Sequence, residues 1–368
     1  MRELTADDAR YAVLGGGVLA CGGGGWKHHG ELMGSVATTL GRPVLAQVDE
    51  LSDDTWVATV TAIGAPATRT WEIRPIDYVH ALQKLMDVAK VPITAVMTAQ
   101  NGYSTTLNGW IQSASLGVVV LDAAGDVRAH PTGKLGSLGL TSRPGYLSTQ
   151  VVSGGNRELH GHFCSVNQGT VATCDDVLRD ISVRTGGFIA SARNPVELSW
   201  VREHAAIGAI SLALELGRDM EDAGRGPGTR GDAVTEAVCE RLTARVIDRG
   251  PLVQEVALET RGGFDHGTFR VGEHSVPYLN EFMACERSGE RVATYPDTIA
   301  ILDSASGLPL AVKDAVEGMN VVLVVANAGN LPLSSSAVDP IGLEECEHIM
   351  GLDILTHLSG RSGGSTDG

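Results

Sequence analysis

The chain has 368 residues, more than a single hydrophobic core ordinarily serves, so two domains are expected. Hydrophobic residues make up 43% of it and charged residues 20%, no stretch approaches the ~20 apolar residues of a membrane helix, and the opening MRELTADDAR lacks the basic-then-apolar order of a signal peptide. The formal net charge of −16, from 44 acidic and 28 basic side chains with no basic patch, argues against a nucleic-acid partner. A cytoplasmic protein with a small-molecule partner and no membrane contact is expected. The cysteines at 21, 164, 174, 239, 285 and 346 are dispersed without a C-x-x-C pair and read as free thiols.

In chain order, residues 6–20 begin a helical pattern that breaks at Cys21-Gly22-Gly23-Gly24-Gly25, where four glycines free the backbone. β-type runs follow at 43–48 and 56–63, then a helix at about 76–89, a run at 91–98, a helix at 105–116 and the apolar run 117–122. Strands alternating with helices predict a parallel or mixed sheet covered on both faces. Alternating segments at 147–152 and 159–166 precede a helix near 174–184, and the clearest helical pattern is 195–218, opened by Pro195 and closed on Gly217. A Gly- and Arg-rich linker at 217–231 and a short helix at 232–242 lead to β-type runs at 244–248, 252–259, 267–272, 290–294, 298–303 and 320–325, the pattern of a barrel or sandwich. The polar ending SGRSGGSTDG is expected to be disordered. The expected organisation is an α/β domain at 1–165, a helical connection at 166–232 packing on it, a mostly β domain at 233–350, and a tail at 351–368.

Several segments could carry chemistry. Backbone amides of the glycine loop, Gly23 and Gly24 among them, could cradle an anion beside Lys27, although a tight helix-to-loop turn explains the glycines equally well. A helix before the loop is the wrong order for a dinucleotide fingerprint, so no nucleotide cofactor is expected. Gln100, Asn101 and Ser104 follow a strand's C-terminal end, where open α/β sheets bind ligands; the plainer alternative is a turn with a helix cap. The next strand runs into Asp122, Arg128 and His130. Arg128 could bind an anionic group, and Asp122 or His130 could move a proton or hold a metal; otherwise this is a solvated loop with an ion pair. If 158–164 is extended, His160, His162 and Cys164 share one face and offer zinc ligands, with His130, Asp122 or His266 as a further one; a polar strand face is the alternative. The turn at Arg261-Gly-Gly-Phe-Asp265-His266 could deliver His266 into a site between domains, although a surface hairpin is commoner. No G-x-S-x-G, H-E-x-x-H or C-x-x-C is present.

The order of these segments resembles the S-methyl-thiohydantoin desulfurase family. The likeness rests on the early GGGG loop, Gly64-Ala65-Pro66, the strand to Asp122 with Arg128-Ala129 and Pro131 beyond it, IGAISLALELGR at 207–218, GGFDHGT at 262–268, Asn280-Glu281, and ATYPDTIAILDSASGLPL at 293–310. It covers most of residues 10–325. The chain departs from the family's pattern at Gln100-Asn101-Gly102-Tyr103 and at Arg128-Ala-His130-Pro-Thr132, where acidic residues are replaced and an imidazole is gained. The resemblance implies an N-terminal three-layer α/β/α domain followed by a smaller, mostly β, barrel-like domain. It also implies a hydrolase-like activity adding water to a small nitrogen heterocycle such as a cyclic amide, imide or methylthio-hydantoin. The expected roles are proton transfer for His130, Asp122 and His266, substrate binding for Arg128, Gln100, Asn101, Ser104, Gly23 and Gly24, and zinc ligation for His160, His162 and Cys164. A lyase working by proton abstraction and a non-catalytic small-ligand protein are the alternatives, and a homo-oligomer is compatible with the apolar helices.

Overall fold

Alternation of apolar side chains along the early strands sets the layering of the first domain. In Trp56–Gly64, Ala58 and Val60 belong to one buried cluster and Val57 to another; in Ile93–Thr98, Val96 opposes Ala95 and Met97; in Val119–Ala124, Val120 opposes Leu121 and Ala123. A sheet apolar on both faces must be covered on both. Helices Ala6–Leu19, Lys27–Leu40, Pro75–Val88 and Trp110–Leu116 cover one face. Leu198 and Val201 of the helix Leu198–His204 pack on the other, where Leu178 of the helix Val171–Arg184 meets Ile63, Val152 and Ile189. The computed structural model describes residues 1–226 and 229–362. Its first sheet runs in the order Arg2–Glu3, Val44–Ala46, Val119–Ala124, Ile93–Thr98, Trp56–Gly64, Phe188–Glu197, Ser148–Gly154 and Phe163–Gly169, with Ala206–Ile207 added against Val119–Ala124. Pairings from Val44–Ala46 through Trp56–Gly64 are parallel and the others antiparallel.

The segment 195–218 is not one helix. Pro195 lies in the strand Phe188–Glu197, at a bulge where Asn194 takes a φ of 54° and the register against Trp56–Gly64 shifts. The helices Leu198–His204 and Ala209–Ala223 then flank the short strand Ala206–Ile207. The stretch 166–232, expected as a helical connection, thus contributes a central strand to the first sheet. The helix Lys27–Leu40 was not anticipated, because its buried face is made of small and polar residues, His29, Gly30, Gly34 and Ala37 beside Met33.

The second domain is an antiparallel sheet in the order Glu290–Thr294, Ala284–Arg287, His274–Leu279, Phe264–Val271, Ala244–Arg261, Asn320–Ala326 and Thr298–Asp303. The runs 244–248 and 252–259 merge into one long strand. Its first half pairs with Asn320–Ala326 and its second with Phe264–Val271, with register shifts along both pairings. Such irregularities bend a strand, and the sheet curls into a half-barrel around Phe269, Tyr278, Phe282, Ile301 and Leu323. Helices Ala209–Ala223 and Arg230–Leu242 pack against Ala300, Leu302, Val322 and Val324. Part of the expected tail is folded, since Ile354 is buried with Leu135, Tyr295 and Leu343 ahead of the helix Leu355–Ser362. Residues 363–368 of the ending expected to be disordered lie outside the described residues. No described helix is long and apolar enough to cross a membrane.

Candidate active site at the domain junction

A cleft lies where the C-terminal ends of Trp56–Gly64 and Ile93–Thr98 meet the second domain. Its walls include Gly24 and Gly25 of the glycine loop, Gln100, Thr105, His130–Gly133, Asp175, Arg179, Arg193, Asn280 and Glu281. Its interior, ≈ 40 Å³, holds only a few water-sized groups.

Glu281 comes from the second domain. The strand His274–Leu279 ends at Asn280, whose φ of 57° is one that asparagine tolerates better than most residues, and Glu281–Phe282 folds back on it. Asn280 is latched at both ends: its N–H donates to Asp265 O at 2.6 Å and its Oδ1 accepts the Asp265 N–H at 2.8 Å. The glycine loop closes over this turn. A Cβ on Gly23 would stand 2.1 Å from Glu281 Oε1, and one on Gly22, already at a φ of 89°, would meet the Phe282 ring. Gly24 N–H donates to the Glu281 carboxyl and Gly23 N–H is taken by Ala20 O, so these two amides are engaged within the chain. Burial pushes the Glu281 carboxyl up to about 8, against the lowering pull of Arg128 and Arg179.

On the opposite wall, Gln100 Oε1 accepts the backbone N–H of His130 at 3.1 Å and lies 2.7 Å from His130 Nδ1. The shared acceptor places the imidazole proton on Nδ1 and leaves the lone pair on Nε2. Burial, reinforced by Arg193 and Arg128, brings the imidazole down to about 3, so it is uncharged near neutrality. Its Nε2 lies against Gly136, where an added Cβ would come within 2.2 Å.

Asp175 accepts Arg193 Nη1 at 3.0 Å, Thr132 Oγ1 at 3.1 Å and Gly133 N–H at 3.2 Å. Burial acts to raise its carboxyl, but the nearby charges of Arg179, Arg193 and Lys134 and the Thr132 hydrogen bond hold it below the usual range. Arg179 spans the junction, donating to Pro131 O at 2.8 Å and Gly263 O at 3.0 Å with its guanidinium over the Phe264 ring. Five buried polar atoms of the cleft residues have no hydrogen-bond partner among the described residues: Thr105 Oγ1, His130 Nε2, Arg179 Nε, Arg193 Nε and Glu281 Oε2. Buried polar groups are ordinarily satisfied, so these unpartnered atoms single the cleft out as the candidate ligand site.

Among the sequence-predicted residues, Gln100, His130 and Gly24 line the cleft. Ser104 packs beside it, its N–H donating to Gly24 O at 3.1 Å. Others have structural duties. Asp122 caps the helix Ala209–Ala223, accepting Ile210 N–H, Ser211 N–H, Ser211 Oγ and Gln47 Nε2 at 2.5–3.0 Å. Asn101 is fully buried and donates to Val127 O and Ala209 O. Arg128 is likewise buried, its guanidinium donating to Ala129 O, Phe282 O and Asp297 O over the Tyr295 ring, which fastens the domains together and leaves it off the cleft wall. His266 lies in a separate groove with Glu259, Phe264 and His348. Asp175, Arg179, Arg193 and Glu281 were not anticipated as site residues.

Asp77, His80 and His162 bring ligand atoms within 4.8 Å of one another and could hold a metal ion. His162 alone of the expected zinc ligands belongs to this group. His160 ends a helical turn, Arg157–His160, nucleated by Asn156 Oδ1 accepting Leu159 N–H, so the segment is not extended there; Cys164 is exposed on the strand Phe163–Gly169. The Asp77 carboxylate already accepts Arg74 N–H and the Arg157 guanidinium, with which an ion would compete. None of the three lines the cleft.

The fold and the cleft together define a two-domain α/β-plus-β protein with a buried polar site at its junction. The chain belongs to the S-Me-THD-like family: the profile of the family's N-terminal domain matches residues 7–157 and that of its C-terminal domain residues 169–345. This membership is consistent with an enzyme acting on a small heterocycle. A solved protein from Chromobacterium violaceum shares the fold, with 18% identity and a TM-score of 0.69 over 96% of this chain and 98% of the other. Among curated proteins, none matches the chain.

Proposed function

We propose that the protein is a hydrolase that adds water to a small nitrogen heterocycle of the methylthio-hydantoin type, bound in the junction cleft. The observation that supports this reading is the set of unpartnered buried polar atoms, donors and acceptors together, carried by cleft residues from both domains; the ≈ 40 Å³ interior would have to widen to admit a ring. In the proposed step, the oxygen of water forms a bond to the amidine-like ring carbon and the C–S bond breaks. One of the water's protons ends on the departing thiolate, giving methanethiol, the other on the ring nitrogen that had been doubly bonded to that carbon, and the ring carbon becomes a carbonyl. Glu281, with its carboxyl near 8, exists in both protonation states around neutrality and so can take a proton from the attacking water and return it to the thiolate. Arg179 and Arg193 would stabilise negative charge developing on the ring. His130, held uncharged by Gln100 and by burial, would accept a ring N–H through Nε2 after a small shift away from Gly136. Zinc is assigned no part in this step, because Asp77, His80 and His162 are not cleft residues.

The test is to supply an S-methyl-thiohydantoin in ¹⁸O-water and follow methanethiol with a thiol reagent and the ring by mass spectrometry. Expected are methanethiol release, ¹⁸O in the ring product, and a loss of about 100-fold in rate for Glu281→Gln. A ring that is bound but never turned over would leave a binding protein in place of an enzyme.

A further inference from the structure

We propose that Asp77, His80 and His162 form a second, non-catalytic site that takes a divalent transition-metal ion, admitted when Arg157 leaves Asp77 for Glu72. The site lies outside the junction cleft, and the inference does not depend on the heterocycle reading.

Two separate parts of the first domain bring the three side chains together. Asp77 and His80 stand three residues apart in the helix Pro75–Val88 and so share a face. His162 follows Gly161, at a φ of 69°, between the helical turn Arg157–His160 and the strand Phe163–Gly169. Its Nε2 lies 4.0 Å from Asp77 Oδ1 and 3.2 Å from Ser153 Oγ, and its ring stands nearly perpendicular to that of His80, with centroids 6.2 Å apart. A tetrahedral ion with bonds of about 2.0–2.1 Å spaces its ligand atoms about 3.4 Å apart, so the group would contract by roughly 1 Å. The movement falls on the two histidines, both exposed, the His162 side chain to 42%. The Ser153 hydroxyl is a neutral oxygen beside them for the fourth position. Two imidazoles and one carboxylate suit zinc and its neighbours in the first transition row; calcium and magnesium favour oxygen ligands throughout.

Arg157 is the competitor. Its Nη2 donates to Asp77 Oδ1 and its Nη1 to Oδ2 at 3.2 Å, while Oδ2 also accepts Arg74 N–H at 2.8 Å and so caps the helix. An ion taking Oδ1 therefore displaces the guanidinium and leaves the cap in place. A second acceptor is at hand for Arg157: Glu72 Oε2 already accepts its backbone N–H at 2.9 Å, and Glu72 Oε1 lies 3.5 Å from its Nη1. The guanidinium moves from one carboxylate to another and is never left unpaired, which keeps the exchange cheap. The bound ion would fasten the helix Pro75–Val88 to the connection between Ser148–Gly154 and Phe163–Gly169, at the edge of the first sheet, and stabilise that edge by mass action.

The experiment titrates zinc into the tag-free, chelator-treated full chain by isothermal titration calorimetry at pH 7, in a Cys164→Ser background that removes the exposed thiol. One ion per chain is expected, with a Kd of about 10 µM or tighter, weakened at least about tenfold in both His80→Ala and His162→Ala. Arg157→Gln removes the competitor and should tighten zinc at least about threefold; Glu72→Gln removes the resting place of the guanidinium and should weaken it by a similar factor. An ion held adventitiously by surface histidines would respond to neither. No binding at about 0.1 mM zinc, or binding kept by both histidine variants, would overturn the site. Equal affinities in the wild type, Arg157→Gln and Glu72→Gln would overturn the exchange of partners. The histidine variants change exposed side chains only, so the test of the site stands on them if an Arg157 or Glu72 variant fails to fold.

Discussion

Replacing Glu281 by Gln removes one ionisable carboxyl from the cleft while nearly keeping the size of the side chain, so the stability difference between the two proteins isolates that group. Burial raises the carboxyl from 4.5 to about 8; Arg128, Arg179 and the Gly24 N–H pull it down without prevailing, and Asp265 adds to the rise. Between those values the folded protein keeps a proton that the unfolded chain has released. The folded state then binds more protons, and stability falls as pH rises through the window. Below 4.5 both states are protonated and nothing is lost; above about 8 both are ionised and the loss is complete. At about 1.4 kcal/mol for each pH unit the full loss is about 5 kcal/mol, an upper figure because local relaxation and water entry reduce it. Glutamine has no such dependence, and the unequal hydrogen bonding of its amide adds only a constant offset. Relative to its position at pH 4, Glu281→Gln should therefore gain several kcal/mol on the wild type by pH 9. Urea denaturation at half-unit steps of pH measures the difference. Curves for the two proteins that run parallel from pH 4 to 9 would refute the claim that the junction desolvates this carboxyl.

Three further outcomes follow from the same geometry. Asp122→Ala strips the cap from the helix Ala209–Ala223 and should cost about 2–4 kcal/mol in chemical denaturation, while calorimetry finds the ligand affinity of the folded protein unchanged. Gly23→Ala places a Cβ 2.1 Å from Glu281 Oε1; it should lower turnover by at least about tenfold and stability by about 1–3 kcal/mol, and a fully active variant would show that Glu281 need not be held where it stands. Dialysis against a chelator should leave methanethiol release unchanged, because Asp77, His80 and His162 lie outside the cleft; activity lost on chelation and restored by zinc would return the step to a metal.

The parts of the site that were legible in the sequence are those whose meaning is local. Gln100 and His130 follow apolar runs, and the ends of buried strands are where α/β sheets bind ligands. Glu281 carried no such signal beyond its place in the family's Asn280-Glu281 pair, because its character comes from contact with a glycine loop at the other end of the chain. Asp175 and Arg179 are spaced i, i+4 on a polar helix, which reads as a solvated surface pair. Only the approach of Gly133 on one side and Phe264 on the other buries them. Arg128 misled in the opposite way: a guanidinium among polar residues reads as a binding group, yet its acceptors, Phe282 O and Asp297 O, belong to the second domain and are invisible to local pattern. His160 was lost to a helical turn that a single asparagine cap suffices to nucleate. At 195–218 a short apolar window fits either period, and the neighbouring strand Trp56–Gly64, whose Val57 and Trp56 pair with Val196 and Glu197, decides for β pairing at its start.

The burial that gives Glu281 its character is produced by docking of the two domains. Phe282 N–H donates to Cys21 O at 2.6 Å, Val312 N–H to Gly22 O at 2.8 Å, and Ala67 N–H to Asp265 Oδ2 at 2.7 Å, while Arg128 holds Phe282 O at 2.8 Å. These ties surround Glu281 and press the glycine loop onto it. Separation of the domains would return its carboxyl to water and toward 4.5, and would deprive Arg179 of the Gly263 carbonyl that helps fix its guanidinium. The proton that Glu281 can hold near neutrality is therefore not a property of one domain: it arises where the two meet, with the surrounding groups already oriented before a ligand arrives, which is the condition under which buried dipoles and charges act most strongly on a reacting molecule.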